Sequence, residues 1–118
     1  MKKIIAVDID ETICTNSFPI KNISDYENAR PIKNIISLIN KLYTNNKIIL
    51  YTARGKLITN KKPNLKRKLR KLTINQLASW NVKYHELNMN KIFFDIIIDD
   101  KSINPLSKLE VLKKKLIK

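Results

Sequence analysis

Short apolar runs alternate along this chain with longer segments that have the apolar spacing of helices. The first run, Lys3 to Val7, is rich in β-branched residues and stops at Asp8. Similar runs follow at Lys47 to Thr52, Val82 to Glu86 and Asp95 to Ile98. We expect each run to form a strand. The alternation of strands and helices then predicts an α/β fold with a mainly parallel sheet flanked by helices.

Three segments have the periodicity of amphipathic helices. The first helix is predicted to begin at Pro31, and its apolar face comprises Ile32, Ile35, Ile36, Ile39, Leu42 and Tyr43. A second is predicted from Leu65 to Trp80, and a closing helix from Asn104 and Pro105 onward, with the stripe Leu106, Leu109, Leu112 and Leu116. The polar segment from Thr12 to Arg30 suits an exposed flap. We expect one domain, spanning residues 1–118.

Scarce residue types exclude several kinds of site. The chain has one glycine, Gly55, and glycine-rich phosphate-binding loops need several. It has one cysteine, Cys14, and one histidine, His85, which excludes an intramolecular disulfide and a Cys/His zinc site. We expect both residues to serve in packing. A bound metal ion would therefore have oxygen ligands.

No part of the sequence has the length of an apolar membrane span. The N-terminal pair of lysines resembles the start of a signal peptide, but only Ile4 to Val7 are apolar before Asp8 interrupts the run. We therefore expect a cytoplasmic protein that does not contact membranes.

Positive charge dominates the composition: 24 Lys and Arg residues stand against 10 Asp and Glu, for a formal net charge of +14. A nucleic-acid partner is one explanation. The other is codon bias, since the 20 Lys, 20 Ile and 14 Asn residues are all types that A/T-rich codons encode. The densest basic cluster lies between Lys61 and Lys71, and it is either a solvated helix face or a contact surface for an anionic partner.

The acids are distributed more narrowly than the basic residues. Half of them lie in two clusters that each follow an apolar run: Asp8, Asp10 and Glu11, then Asp99 and Asp100. Carboxylates placed this close repel one another unless a cation lies between them. Since the carboxyl ends of parallel strands meet at one edge of a sheet, we expect both clusters to converge there around a divalent ion.

The order of these residues resembles the haloacid dehalogenase phosphatase superfamily. Asp8, Asp10 and Thr12 match its DxDxT motif, Thr52 its second motif, Lys91 its third and Asp99-Asp100 its fourth. The stretches VDIDETIC, YENARPIKNII, YTARG, WNVKYHEL and FDIIIDDKSINP further resemble the small capsule and polysaccharide biosynthesis phosphatases of that superfamily. The resemblance implies a Rossmann-like core with a minimal cap.

This resemblance also implies a role for each motif residue. Asp8 is the expected nucleophile, and Asp10 the general acid and base. Thr52 and Lys91 are expected to bind the phosphoryl oxygens. Mg2+ is the implied cofactor, with Asp8, the backbone carbonyl of Asp10, and Asp99 as ligands, and Asp100 as a second candidate ligand.

Some of these positions differ from the family pattern or have a simpler explanation. The chain has Asn90-Lys91-Ile92 where relatives usually have Gly-Lys-Pro, and Glu11 where many have Gly. Lys101 is the alternative to Lys91 as the lysine that binds the phosphoryl group. Arg54 is either a substrate contact or a surface residue, and the Asp99-Asp100 pair alone also suits a capping turn.

The resemblance predicts a Mg2+-dependent phosphomonoesterase acting on a sugar phosphate or another small polyol phosphate of surface-polysaccharide synthesis. A polynucleotide 3′-end phosphatase on the same fold is the first alternative, motivated by the basic cluster. A receiver-type signalling domain and a non-catalytic basic nucleic-acid-binding module are the others. Because the predicted flap is short, either the substrate is large or a neighbouring subunit helps to close the site, and we expect a homo-oligomer.

Overall fold

The computed structural model describes residues 3 to 104. The described strands are β1 (Ile4–Val7), β2 (Cys14–Thr15), β3 (Arg30–Pro31), β4 (Lys47–Tyr51) and β5 (Glu86–Asn88). The helices are α1 (Lys33–Tyr43), α2 (Lys56–Thr59) and α3 (Pro63–Ser79), together with a 3-10 helix at Ile23–Asn28. The predicted closing helix after Asn104 lies outside the described residues.

The main sheet has three parallel strands in the order β1-β4-β5. Ile5 pairs with Ile48 and Val7 with Leu50, while Leu50 pairs with Leu87 on the other side. The strands are linked through helices, as parallel pairs require. The predicted α/β class, with a parallel sheet flanked by helices, is therefore confirmed.

Helix α1 buries the apolar face that its periodicity predicts. Its buried residues are Ile35, Ile36, Leu38, Ile39 and Leu42, and they share one core with Ile48 and Leu50 of β4. The helix begins two residues later than predicted. Pro31 pairs with Cys14 in the antiparallel ribbon of β2 and β3 instead, and proline is tolerated in such a short edge strand.

The predicted flap is more ordered than a plain loop. The β2–β3 ribbon closes it at its base, and the 3-10 helix between them places Tyr26 in the interior. Tyr26 Oη accepts a hydrogen bond from the backbone N–H of Gly55, at 2.9 Å. The flap is thereby attached to the loop that follows β4.

The third predicted strand is displaced toward the C-terminus. Val82 to Glu86 was expected, whereas β5 spans Glu86–Asn88. Helix α3 ends in a Schellman motif: Asn81 has φ 58°, its N–H donates to Ala78 O, and Val82 N–H donates to Leu77 O. Val82 is buried as the apolar residue of this motif, so it closes the helix and does not begin a strand.

The prediction of a fourth strand at Asp95 to Ile98 is wrong for the described fold. The segment has no regular structure, and 82% of Ile96 and 98% of Ile98 are exposed. A strand needs a hydrogen-bonded neighbour, and within residues 3–104 this segment pairs with none. β1 is accordingly an edge strand with a half-exposed burial pattern.

Among the helices of the described part of the chain, none combines the length and the apolar character that crossing a membrane requires.

Candidate active site at the carboxyl end of β1

The candidate site begins where β1 ends. Asp8 follows Val7 directly, and Thr52 follows the last residue of the neighbouring β4. Because the two strands are parallel and in register, both residues lie at the same edge of the sheet. The Asp8 carboxylate is held by the backbone N–H of Ile9, which donates to Oδ1 at 2.8 Å, and its side chain stays 40% exposed.

A tight turn after β1 fixes the second acid of the motif. The carbonyl oxygen of Ile9 accepts hydrogen bonds from the backbone N–H groups of Thr12, Ile13 and Cys14. Ile9 and Ile13 are fully buried and anchor the turn in the core. Asp10 lies at its start and forms an isolated bridge with Cys14, so its position depends on the core and not on a free loop.

Asp10 forms an ion pair with Arg54. The Arg54 Nε atom lies 3.2 Å from Asp10 Oδ1, and the Arg54 side chain is completely buried. Asn16 also donates to Asp10 Oδ1, from Nδ2 at 2.7 Å. The sequence allows Arg54 to be either a substrate contact or a surface residue, and the surface alternative is wrong because the guanidinium is buried.

Arg54 is held on several sides. Its Nη1 donates to Thr73 Oγ1 at 3.0 Å and to Gln76 Oε1 at 2.7 Å, both on α3. The guanidinium carbon lies 4.5 Å from the centre of the Tyr26 ring, within cation–π range. Nη2 is buried and has no hydrogen-bond partner within residues 3–104. An unpaired buried donor is costly, so this nitrogen is a candidate contact for a bound anion.

The environment of Asp10 changes its acidity. Burial raises the pKa of this carboxyl above its ordinary value of 3.8, because desolvation disfavours the charged form. The positive charge of Arg54 and the hydrogen bond from Asn16 act in the opposite direction and lower the pKa. Desolvation is the larger effect. The carboxyl is thus more easily protonated than an exposed aspartate, as a general acid requires.

Lys91 lies beside Asp8. Its Nζ atom is 3.7 Å from Asp8 Oδ2, and it also lies over the rings of Tyr51 and Phe94. The backbone N–H of Lys91 donates to Thr52 O at 3.3 Å. The structure therefore brings together Asp8, Thr52 and Lys91. Lys101, the alternative, is exposed, and its backbone N–H donates to Asp99 Oδ1.

Thr52 is almost completely buried, with 1% of its surface exposed. Its backbone N–H donates to Asn88 O at 3.0 Å, and its Oγ1 accepts from the backbone N–H of Arg54 at 2.9 Å. Among residues 3–104 this hydroxyl donates no hydrogen bond, so its proton is available to an acceptor. This is the hydrogen-bond capacity that the predicted phosphate contact requires.

In the described part of the chain, the acids of the fourth motif form no hydrogen bond or ion pair with those of the first. Asp99 and Asp100 are exposed, and the hydrogen bonds that Asp99 accepts from the described residues are local ones, from Lys101 and Ser102. Within residues 3–104, no group of three or more His, Cys, Asp and Glu side chains could hold a metal ion. Asp8 with the Asp10 backbone still offers an oxygen donor set of the sparse kind that suits Mg2+, which keeps several waters and commonly uses one or two carboxylates with a substrate phosphate.

Sequence reasoning did not anticipate how much of the site depends on Arg54. The nearest signal is local: Arg54 lies two residues after Thr52, and Gly55 follows with φ 65°. The contribution of Tyr26 from the flap carried no comparable signal.

The chain is similar in structure to a structural-genomics target from Vibrio cholerae, solved by crystallography. The TM-score is 0.76 at 23% sequence identity, and the match covers 99% of this chain and 98% of that chain. No protein-family model matches the sequence, and no curated protein matches it significantly. The similarity at this level of identity is one of fold.

Proposed function

We propose that this protein is a phosphomonoesterase of the haloacid dehalogenase superfamily, with the Rossmann-like core and minimal cap of that group. The observation that carries the proposal is the pairing of two acids with two cations at one sheet edge. Asp8 lies beside Lys91 at 3.7 Å, and Asp10 beside the buried Arg54 at 3.2 Å. One acid is partly exposed and available to a substrate, and the other is desolvated.

Asp8 acts as the nucleophile. A carboxylate oxygen of Asp8 attacks the phosphorus atom of the substrate, and the bond from phosphorus to the leaving alcohol oxygen breaks. The phosphoryl group is then attached to Asp8 as an acyl phosphate. Water attacks this phosphorus in the second step, breaks its bond to Asp8, and releases inorganic phosphate with a free Asp8 carboxylate.

Asp10 moves the proton in both steps. Its carboxyl donates a proton to the leaving alcohol oxygen in the first step, and its carboxylate accepts one from the attacking water in the second. The raised pKa of Asp10 favours the protonated form that the first step needs. Arg54 limits that effect, so that the carboxylate of the second step also remains accessible.

Thr52 and Lys91 hold the phosphoryl oxygens. The Lys91 ammonium offsets the repulsion between the Asp8 carboxylate and an anionic substrate, and the Thr52 hydroxyl donates a hydrogen bond. Lys91 is 18% exposed, so its charge is partly desolvated and acts more strongly than a surface lysine.

Mg2+ is the proposed cofactor, and it supplies further neutralisation of the phosphoryl oxygens when bound. Asp8 and the backbone carbonyl of Asp10 would hold it, with Asp99 and Asp100 as the remaining predicted ligands. Separate Asp99→Asn and Asp100→Asn variants test that prediction. A direct ligand, once removed, raises the Mg2+ concentration needed for half-maximal activity, and an exposed bystander leaves that concentration unchanged.

The substrate class follows from the resemblance to the capsule and polysaccharide biosynthesis phosphatases. We propose a cytoplasmic enzyme that acts on a sugar phosphate or another small polyol phosphate of surface-polysaccharide synthesis. A homo-oligomer remains part of the proposal, because the flap of residues 12–31 is too short to cover the site and exclude water by itself. Light scattering tests it, and a strict monomer at high concentration contradicts it.

Hydrolysis of p-nitrophenyl phosphate tests the proposed reaction class. The assay compares the wild-type protein, the protein with chelator, the Asp8→Asn variant and the Asp95→Asn variant. Asp95 is an exposed acid outside the site, so its variant controls for a change in net charge. We expect activity that the chelator and Asp8→Asn abolish and Asp95→Asn preserves. Equal turnover by Asp8→Asn and wild type would remove the nucleophile assignment.

A further inference from the structure

A cavity of about 730 Å3 lies beside the candidate site. One part of its lining is the face of α3 that carries Lys66, Arg67 and Arg70, and another is the segment from Tyr84 to Asn90. Residues 66, 67, 70 and 74 all line the cavity. Their helical spacing places them on one side of α3.

The lining of this cavity is strongly positive. Within residues 3–104, four basic residues without an acidic partner line it: Lys56, Lys66, Arg67 and Arg70. Arg54 also belongs to the lining, but its buried guanidinium is already paired with Asp10. Glu86 is the one acid of the lining among the residues that the structure describes, and Lys47 Nζ lies 2.9 Å from the Glu86 carboxylate and neutralises it. The cavity therefore has a net positive charge that its own residues do not balance.

The basic side chains at the rim have no acidic partner in the part of the chain from residue 3 to residue 104. Arg67 donates to the Asn64 side chain and Arg70 to the backbone oxygen of Leu87, while Lys66 is exposed. Both hydrogen bonds go to neutral groups. They orient the guanidinium groups but leave the charges available to an anion.

The cavity is adjacent to the candidate site and shares bonded neighbours with it. Arg54 lines it and also forms the ion pair with Asp10. Asn88 lines it and accepts the hydrogen bond from Thr52 N–H, and Asn90 leads directly into Lys91. A substrate whose phosphoryl group lies between Asp8 and Lys91 would therefore extend its leaving group toward the basic rim.

We propose that this cavity binds a second phosphate group, carried by the leaving group of the substrate. This inference rests on the proposed phosphatase function and narrows its substrate class to phosphomonoesters with a further phosphate. A neutral sugar would not compensate the unpaired charges, and one carboxylate carries less charge than a phosphate. Phosphate presents several acceptor oxygens, and two arginines in a rim suit bidentate recognition of such a group.

Matched substrate pairs test the proposal. Phosphate release is measured for fructose 6-phosphate against fructose 1,6-bisphosphate, and for glucose 6-phosphate against glucose 1,6-bisphosphate. We expect kcat/KM to be about tenfold or more higher for each bisphosphate, since a charge-assisted hydrogen bond contributes enough for a factor of this size. The preference should decrease as salt concentration rises. Equal kcat/KM within both pairs would overturn the proposal.

Helix α3 offers its own control. Lys66→Gln with Arg67→Gln removes two charges from the cavity face, and Lys68→Gln with Lys71→Gln removes two from the other side of the same helix. We expect the first double variant to lower the ratio of bisphosphate to monophosphate kcat/KM by about tenfold. The second should leave this ratio unchanged. Equal ratios in the two double variants contradict a phosphate site on the cavity face.

The second phosphate could belong to a small metabolite or to a nucleic-acid backbone, and a 3′-phosphorylated oligonucleotide as substrate distinguishes the two. Higher kcat/KM for the oligonucleotide than for either bisphosphate assigns the cavity to a nucleic-acid backbone, and the reverse assigns it to a small metabolite.

If p-nitrophenyl phosphate is not hydrolysed at all, the proposed function fails. The cavity proposal is then tested separately, by calorimetry with the same sugar phosphates. Tighter binding of the bisphosphates that Lys66→Gln with Arg67→Gln abolishes supports the site, and equal affinities refute it.

Discussion

Arg54 and Asp10 form an ion pair in which the arginine side chain is completely buried and the aspartate side chain is 22% exposed, with Nε 3.2 Å from Oδ1. The pair connects the turn after β1 to the loop after β4, and through Thr73 and Gln76 it reaches α3. Three elements that are distant in sequence are thus tied to one carboxylate. The acidity of Asp10 consequently depends on the integrity of this packing.

Replacing Arg54 with Met should move the pH dependence of turnover. Burial already raises the pKa of Asp10 and Arg54 lowers it, so loss of the cation raises the pKa further. Because the first step uses protonated Asp10, the pH above which turnover falls should increase. Steady-state pH profiles measure this, with Arg54→Lys shifted less and the exposed Arg30→Met unshifted. A profile that stays in place in Arg54→Met would show that Asp10 is not the titrating group.

The Arg54→Met variant should also be less stable than the wild-type protein. Removing one member of a buried pair costs about 3 kcal/mol in the free energy of unfolding, within what a small domain can lose and still fold. Urea unfolding measures it, and the pH profiles are interpreted only for the variants that remain folded.

Gly55→Ala should destabilise the protein by about 2 kcal/mol or more. Gly55 has φ 65°, and an added Cβ would lie 2.3 Å from Leu69 Cδ2, a core atom. Urea unfolding gives the change in the free energy of unfolding. In the Leu69→Ala background the same substitution should cost less, since the clashing methyl is gone. An equal loss in the free energy of unfolding in both backgrounds would mean that the left-handed backbone conformation, and not the clash with Leu69, causes the destabilisation.

Glu11 occupies the left-handed region with φ 61°, at a position where the related pattern often has glycine. Its carboxylate accepts a hydrogen bond from Asn16 N–H at 3.0 Å, and both Glu11→Gly and Glu11→Ala lose that bond. Only glycine adopts the left-handed conformation without a Cβ penalty. Glu11→Gly should therefore be more stable than Glu11→Ala by roughly 0.5 to 1 kcal/mol. Thermal unfolding compares them, and an alanine variant as stable as the glycine variant is the opposing result.

Cys14 should be almost unreactive in the folded protein. Burial, reinforced by the nearby Asp10 charge, raises the pKa of its thiol from 9.0 to about 12. Because the folded pKa is the higher one, the unfolded chain loses this proton first, and stability decreases as the pH rises above 9.0. Modification by a disulfide reagent at pH 8 should be slow and accelerate with urea. Rapid modification without urea would contradict the burial of Cys14.

Local periodicity predicted the parts of the fold that local interactions decide. The apolar face of α1 has to pack on a sheet, and the apolar run of β4 directly follows this helix in the chain. Both elements are therefore predictable from the spacing of apolar residues. The position of β5 did not follow, because Asn81 ends α3 in a motif that uses Val82 as its apolar residue. Asparagine marks such a turn less clearly than glycine does.

The apolar content of Asp95 to Ile98 alone is not sufficient to make this segment a strand. A strand forms only beside a partner, and the sequence does not state which edge is available. In the site, the order of motifs predicted that Asp8, Thr52 and Lys91 meet, because parallel strands bring their carboxyl ends together. Burial of Arg54 could not be predicted, since arginines are mostly exposed and its partner Asp10 is remote in sequence.

The covalent intermediate is the most direct test of the proposed reaction. The wild-type protein is mixed with p-nitrophenyl phosphate and Mg2+, quenched in acid within the first turnovers, digested and examined by mass spectrometry. We predict a peptide that contains Asp8 with the added mass of one phosphoryl group, lost on treatment with hydroxylamine and absent from the Asp8→Asn protein. Turnover by wild type with no phosphorylated peptide, or with the phosphoryl group on another residue, would contradict Asp8 as the nucleophile.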